Sequence, residues 1–221
     1  MKMLKVSVII PTHNRADLLE KAVQSILDQT FTDFEILVCD DASTDNTPEV
    51  IERFKDERIL YTRYETNRGV IEVRNNAVTN SRGEYIAFLD DDDEWFPTKL
   101  EKQVALLDGS PDKLGAVYTG SCSIDMKLGR IMKVSCPTYR GNILSDLLKG
   151  NFITTSSIVI KKLCFEKLGL FDPEYKSASD FDMWIRIAEV FDFDYIIEPL
   201  VNYRINQISI SMNYKSVISG L

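Results

Sequence analysis

The chain lacks the long apolar stretch that a membrane span requires. Its amino terminus offers only the run Val6 to Ile10, inside an expected strand, so neither a signal peptide nor a spanning helix is expected. Clustered Lys and Arg are missing too, and the formal net charge is -8, which argues against a nucleic-acid surface. The four cysteines, Cys39, Cys122, Cys136 and Cys164, form no CxxC pair and read as reduced, cytosolic thiols. No glycine-rich phosphate cradle follows the first strand, neither GxGxxG nor a Walker pattern, which argues against a Rossmann dinucleotide enzyme. There is one histidine, His13, and no internal repeat or low-complexity tract.

What is present reads as an ordinary globular chain. With 221 residues, 44% hydrophobic and 27% charged, it is large enough for a substantial core. Residues 1–221 are expected to form one domain of two halves, 1–115 and 116–221, with no Pro/Gly/Ser linker between them. The first half alternates strand and helix, the pattern of parallel strands with crossover helices. Mostly apolar strands are expected at Leu4–Ile10, Phe34–Cys39, Arg58–Arg63 and Glu84–Leu89. Helical spacing marks Leu18, Leu19, Ala22, Val23 and Ile26, then Val70, Val73, Ala77 and Val78; Pro48 and Pro97 suit helix starts. In the second half, Ala116–Thr119 is expected to be a strand and Ser121–Val134 a hairpin turning near Lys127-Leu128-Gly129. Helices are expected over Asn142–Lys149 and Phe181–Val190, and extended chain over Ser157–Ile160.

The polar clusters follow the strands. Pro11-Thr12-His13-Asn14 comes after the first, Asp40-Asp41 after the second, Asn67-Arg68-Gly69 after the third and Asp90-Asp91-Asp92-Asp93 after the fourth. Ligands of open α/β sheets bind in the crevice outside the carboxyl ends of the strands, so the four clusters should converge on one site.

Five consecutive acids, Asp90 to Glu94, follow the fourth strand. Two carboxylates about 5 Å apart repel by roughly 3 kcal/mol at an effective dielectric near 20, so a buried run needs a counter-ion. Strand alternation puts Asp90 and Asp92 on one face, a pincer for one hard divalent cation such as Mg or Mn. A solvated acidic turn is the competing reading, and convergence at one sheet edge disfavours it. His13 serves either as a satisfied structural residue or as a ring that stacks on a base. In Asp40-Asp41-Ala42-Ser43 one aspartate is expected to be a turn residue, while a carboxylate here could accept from a pyrimidine imide or a ribose hydroxyl.

Together Val8-Ile9-Ile10-Pro11-Thr12-His13-Asn14-Arg15, Val38-Cys39-Asp40-Asp41-Ala42-Ser43-Thr44-Asp45, Asn67-Arg68-Gly69 and Phe88 to Trp95 resemble family 2 glycosyltransferases, in the same order and over nearly the whole chain. The resemblance implies a GT-A fold: a Rossmann-like, mostly parallel central sheet flanked by helices, with a smaller mixed sheet from the second half. It implies a nucleotide-sugar donor, usually a UDP-sugar, and inverting transfer to a hydroxyl of a saccharide or lipid-linked saccharide, assisted by Mn or Mg. On that basis Pro11, Thr12, His13 and Asn14 line the donor pocket and Asp40 contacts the base, with Asn67 and Arg74 near the nucleotide. Asp92 and Asp90 then correspond to the metal ligands of the DxD motif, and Asp91 lies near the ribose.

Ser177 to Arg186 resembles the family segment that opens a helix and carries the general base, which by position is Asp180. Trp95 and Trp184 are then expected on the acceptor side. The competing reading of Asp180 is a helix-start acid, because Ser179 and Asp182 make a capping-box pattern. The chain departs from the family pattern twice: Ser179 stands where many members have Glu, and Asn206 where histidine often ligates the metal. A sugar nucleotidyltransferase and a non-catalytic GT-A binding module are the alternatives. The expected place is the cytoplasm, with peripheral contact at the inner face of a membrane left open.

Overall fold

The computed structural model describes residues 4–205, and Asn206 lies outside them. Nine strands form one continuous sheet: β1 (Leu4–Thr12), β2 (Phe34–Asp40), β3 (Ile59–Arg63), β4 (Gly83–Phe88), β5 (Glu94–Trp95), β6 (Leu114–Asp125), β7 (Arg130–Ser135), β8 (Val159–Lys161) and β9 (Asp192–Ile205). Their order is β3-β2-β1-β4-β8-β6-β9-β5, with β7 hydrogen-bonded to β6. The helices are α1 (Ala16–Leu27), α2 (Thr47–Arg53), α3 (Val70–Asn80), α4 (Lys99–Asp108), α5 (Leu144–Leu147), α6 (Lys162–Leu168) and α7 (Ser179–Val190).

β1, β2, β3 and β4 are mutually parallel where they pair. The antiparallel pairs β4–β8, β6–β8, β6–β7 and β5–β9 and the parallel pair β6–β9 continue the same sheet, so the mixed part expected from the second half is an extension and not a separate layer. The expected strand at Ala116–Thr119 and the first arm of the hairpin are one strand, β6. The expected helix over Asn142–Lys149 contracts to the four residues of α5.

Alternation along β1 sorts the core into two layers. Val6, Val8 and Ile10 pack with Leu19, Val23 and Ile26 of α1 and with Leu100, Val104 and Leu107 of α4. Ile9, with Leu37 and Phe88, packs on the other face against Ile71 and Val78 of α3 and Met183, Trp184 and Ile187 of α7. Each such side chain, removed wholly from water, contributes about 1.5–3 kcal/mol. Close approach of β1 and β4 depends on Gly83, where a Cβ would meet Ser7 N at 2.5 Å and Val6 C at 2.7 Å. Beside it the buried Glu35 carboxylate accepts from Ser7 Oγ at 2.6 Å and from Arg82 N at 2.8 Å, which satisfies an acid inside a parallel strand.

Candidate active site

β1 runs two residues beyond its expected end, to Thr12, which pairs with Asp40 of β2; Asp40 in turn pairs with Arg63 of β3. The carboxyl ends of the parallel strands therefore open on one edge. There a cleft of about 1110 Å³ is bounded by Thr12, His13, Asn67, Asp90 to Asp92 and, from the second half, Asp180. Two non-glycine residues at this edge hold positive φ, Asn14 at 55° and Ala42 at 63°. Backbone strain of this kind concentrates at functional loops.

The acidic run is divided by its partners. Arg15 donates to Asp91 at 2.9 Å and to Asp92 at 3.0 Å, and Thr12 Oγ1 donates to Asp91 at 2.8 Å. Arg74, on α3, pairs with Asp90. Asp93 turns inward, accepting from Ser156 Oγ at 2.5 Å and from Arg204 N at 2.9 Å, and Glu94 pairs with Arg204. Asp93 and Glu94 thus support the turn while Asp90, Asp91 and Asp92 line the cleft.

The electrostatics follow from this crowding. Burial, then the neighbouring charge of Asp90, pushes the Asp92 carboxyl up to about 6. Burial likewise raises Asp91, with Arg15 acting against it, and raises Asp93, with Asp90 adding to it. Among the described residues no group of three or more His, Cys, Asp or Glu could hold a metal ion by itself. Asp90 and Asp92 fit the alternative in which one or two carboxylates hold a hard cation and phosphate oxygens complete the shell. Three acids facing two guanidinium groups leave the negative charge that such an ion would balance.

Opposite the acidic run stands Asp180, the second residue of α7. Its Oδ2 accepts from Thr155 Oγ1 at 3.2 Å and from Asn151 Nδ2 at 3.3 Å. Burial raises its pKa, while its backbone hydrogen bond and the charge of Arg74 act against that rise. The capping-box pattern is not realised: the residue at the cap position is Ala178, no side chain caps the helix, and Asp182 pairs with Arg186 at 2.7 Å. Ser179 is buried beside Asp180.

Four of the residues expected at the site lie elsewhere. Asp40 is fully buried, accepting from the Tyr61 hydroxyl at 2.5 Å and from Ser43 N at 2.8 Å. Its neighbour Asp41 lines the cleft instead and accepts from the backbone N–H groups of Arg68 at 2.7 Å and Gly69 at 2.9 Å, fixing the start of the helix that carries Arg74. Asn14 clasps the loop after β2, its Oδ1 accepting from Thr44 N at 2.7 Å. Trp184 is fully buried against Phe171, and Trp95 is buried with its indole N–H donating to Ser156 O at 2.7 Å; neither has a face on the cleft.

In their place the second half supplies Tyr139 and Phe152, whose ring centroids lie 4.9 Å apart and which both line the cleft. Nothing in the spacing of these two residues announces them. Arg15 was legible only as part of a block, since its role depends on a fold that brings it to Asp91, 76 positions away. The lone histidine is held: His13 Nδ1–H donates to Asp41 O at 2.7 Å, leaving Nε2 to accept from Asn14 Nδ2 at 3.1 Å.

The chain resembles known proteins in sequence and in fold. The chain is 31% identical over 213 residues to the Escherichia coli protein WfgD, a UDP-Glc:alpha-D-GlcNAc-diphosphoundecaprenol beta-1,3-glucosyltransferase, covering 94% of this chain and 80% of that one. It is 35% identical over 207 residues to the uncharacterized glycosyltransferase MJ1057 of Methanocaldococcus jannaschii, covering 90% and 70%. Among solved structures it superposes on S. aureus TarS 1-349 in complex with UDP-GlcNAc with a TM-score of 0.78 at 21% identity, over 95% of this chain and 61% of that one. The Pyrobaculum calidifontis mannosyltransferase PcManGT, solved with GDP-Man and Mn2+, gives 0.73 at 20% identity, over 94% and 59%. The chain thus spans about three fifths of each of these two structures, which share its GT-A fold. The family described as Glycosyl transferase family 2 matches residues 7–166, more than half of the length, and the chain belongs to it.

Proposed function

We propose that this glycosyltransferase moves a sugar from a nucleoside diphosphate donor, a UDP-sugar foremost, to a hydroxyl of a saccharide or lipid-linked saccharide, with inversion, in building cell-surface polysaccharide or glycolipid. The observation that carries the reading is the half-buried Asp180 carboxylate on the same cleft as Asp90, Asp91 and Asp92. The donor would lie along the strand ends, with its base beside Pro11, His13, Asp41 and Asn67. The ribose lies at Asp91 and the diphosphate at Asp90, Asp92 and Arg74. A divalent cation on Asp90 and Asp92, when bound, supplies positive charge to the departing diphosphate.

Asp180 accepts the proton of the acceptor hydroxyl as its oxygen bonds to the anomeric carbon, and the bond to the diphosphate breaks on the opposite face. Attack opposite the leaving group is what inverts the centre. Desolvation leaves Asp180 a stronger base than an exposed aspartate, with the hydrogen bond from Thr155 and the charge of Arg74 acting against it. TarS with UDP-GlcNAc, PcManGT with GDP-Man and Mn2+, and the name of WfgD support the donor class. The nucleotidyltransferase alternative would use a glycine-rich basic loop after β1, and Pro11-Thr12-His13-Asn14 is not one.

Release of nucleoside diphosphate from a panel of donor sugars, with and without Mn, tests the reading. One donor should be turned over, and Asp180→Asn should lower that turnover by about 10²- to 10⁴-fold, the usual worth of a positioned general base, while leaving donor binding intact. Unchanged turnover removes Asp180 from the mechanism. Binding of donors without turnover of any would favour the binding-module alternative.

A further inference from the structure

β7 pairs with β6 off the main strand order of the sheet. Every residue of β7 up to Val134 is exposed, and Leu128, Ile131, Met132 and Val134 are each more than half exposed, at 57%, 59%, 54% and 52%. Among the described residues β7 pairs only with β6, and Met132 falls where that pairing is irregular, between the partners of Ser123 and Ile124. Four exposed large apolar side chains thus lie on one ribbon, and exposed apolar clusters mark interaction surfaces.

Charge indicates what the patch meets. Residues 126–140 contain four basic residues, Lys127, Arg130, Lys133 and Arg140, and no acidic one, in a chain with 34 acids and 26 bases. Arg140 is engaged with Asp194, but no ion pair among the described residues uses Lys127, Arg130 or Lys133. Asp125, the nearest acid, turns its carboxylate onto the turn, accepting from Lys127 N at 2.8 Å and Leu128 N at 2.9 Å. Guarding an exposed edge strand would explain some charge there. Edge guarding does not call for the large exposed apolar residues set between the charges, however, and the local reversal of the overall sign needs its own cause. Basic residues interleaved with apolar ones match an anionic, apolar-centred surface.

Lys133 and Val134 also line the cleft that holds Asp180, so the ribbon runs from the site outward to Leu128. We propose that the β6–β7 hairpin is a docking surface for an anionic phospholipid bilayer, with Lys127, Arg130 and Lys133 at the headgroups and Leu128, Ile131 and Met132 entering the boundary beneath them. Such docking would hold the mouth of the cleft at the membrane face, where a lipid-linked acceptor lies. It does not depend on turnover, so its failure and that of the proposed reaction are separable.

Co-sedimentation with phosphatidylcholine vesicles, with and without phosphatidylglycerol, tests it. The chain should bind the anionic vesicles, weaken with salt and bind neutral vesicles poorly. Each basic residue near the surface contributes about fivefold in partitioning, so Lys127→Gln/Arg130→Gln should lower binding about 25-fold. Leu128→Ser/Met132→Ser should weaken binding while keeping its dependence on anionic lipid. Retained UDP binding shows that either variant is folded. Equal binding to neutral and anionic vesicles, or binding to neither, overturns the proposal. Self-association in solution that the same variants abolish would also overturn it, by making the ribbon an interface between copies.

Discussion

At the residue scale, the adjacent aspartates at the end of β2 show how a site divides labour between neighbours. Asp40 ends the strand and Asp41 follows it; both are buried, but only Asp41 of the two lines the cleft. Asp40→Ala leaves the Tyr61 hydroxyl and Ser43 N without an acceptor, which should cost about 3 kcal/mol and lower the thermal midpoint by about 6–12 °C. Its UDP affinity should stay within about twofold. Asp41→Ala should weaken UDP binding about tenfold, the loss of one hydrogen bond to a charged group. Calorimetry and thermal scans separate the two, and equal loss of affinity would show that both aspartates act on the donor. The pair was visible in the sequence, but which member faces the cleft depends on register. Trp184 illustrates the same limit: its helix was legible from spacing, while the layer it enters was not.

At the element scale, the fold was most legible where the chain is most apolar. β1, β2 and β4 are buried on both faces and so read as continuous hydrophobic runs, and α1 shows its stripe at helical spacing. β9 escaped notice because it is of mixed polarity, half-buried along much of its length, and carries a proline at 199. β5, two residues long, has no signal apart from its partner. Packing between elements explains a glycine that spacing does not. Gly83→Ala should push β4 away from β1 and cost about 3 kcal/mol, whereas Gly129→Ala, at φ 61° with open space around it, should cost about 1 kcal/mol. Denaturant melts compare the two, and a milder effect at Gly83 would mean that the strands can separate without loss.

At the scale of the whole molecule, the acidic cleft sets how stability responds to pH. Asp92 titrates at about 6 in the folded chain and at 3.8 unfolded. Between those values the folded state binds more protons, so stability falls as pH rises through the window and is level above it. For this half-buried group the effect is at most about 3 kcal/mol. Asp91, Asp93 and Asp180 are raised and act in the same sense. Asp45, Asp56 and Asp108 are lowered, and their effect belongs to pH below about 3.8. The ligand-free protein should therefore melt several degrees higher at pH 5 than at pH 7.5, and Mn with UDP should narrow the gap by stabilising the deprotonated cleft. A ligand-free midpoint that is higher at pH 7.5 would show that Arg15 and Arg74 already balance the acids.

β5 pairs with β9 through Glu94–Asn202 and Trp95–Val201, and Asp93 accepts from Arg204 N, 111 positions later. A ribosome adding about 5–20 residues per second delivers those partners roughly 5–20 s after the acidic run has emerged. Until β8 and β9 arrive, β4 is the open edge of a half-built sheet, and the acids follow it immediately. During synthesis the same charges stand beside that edge, and charge beside an open strand opposes edge-to-edge pairing between chains.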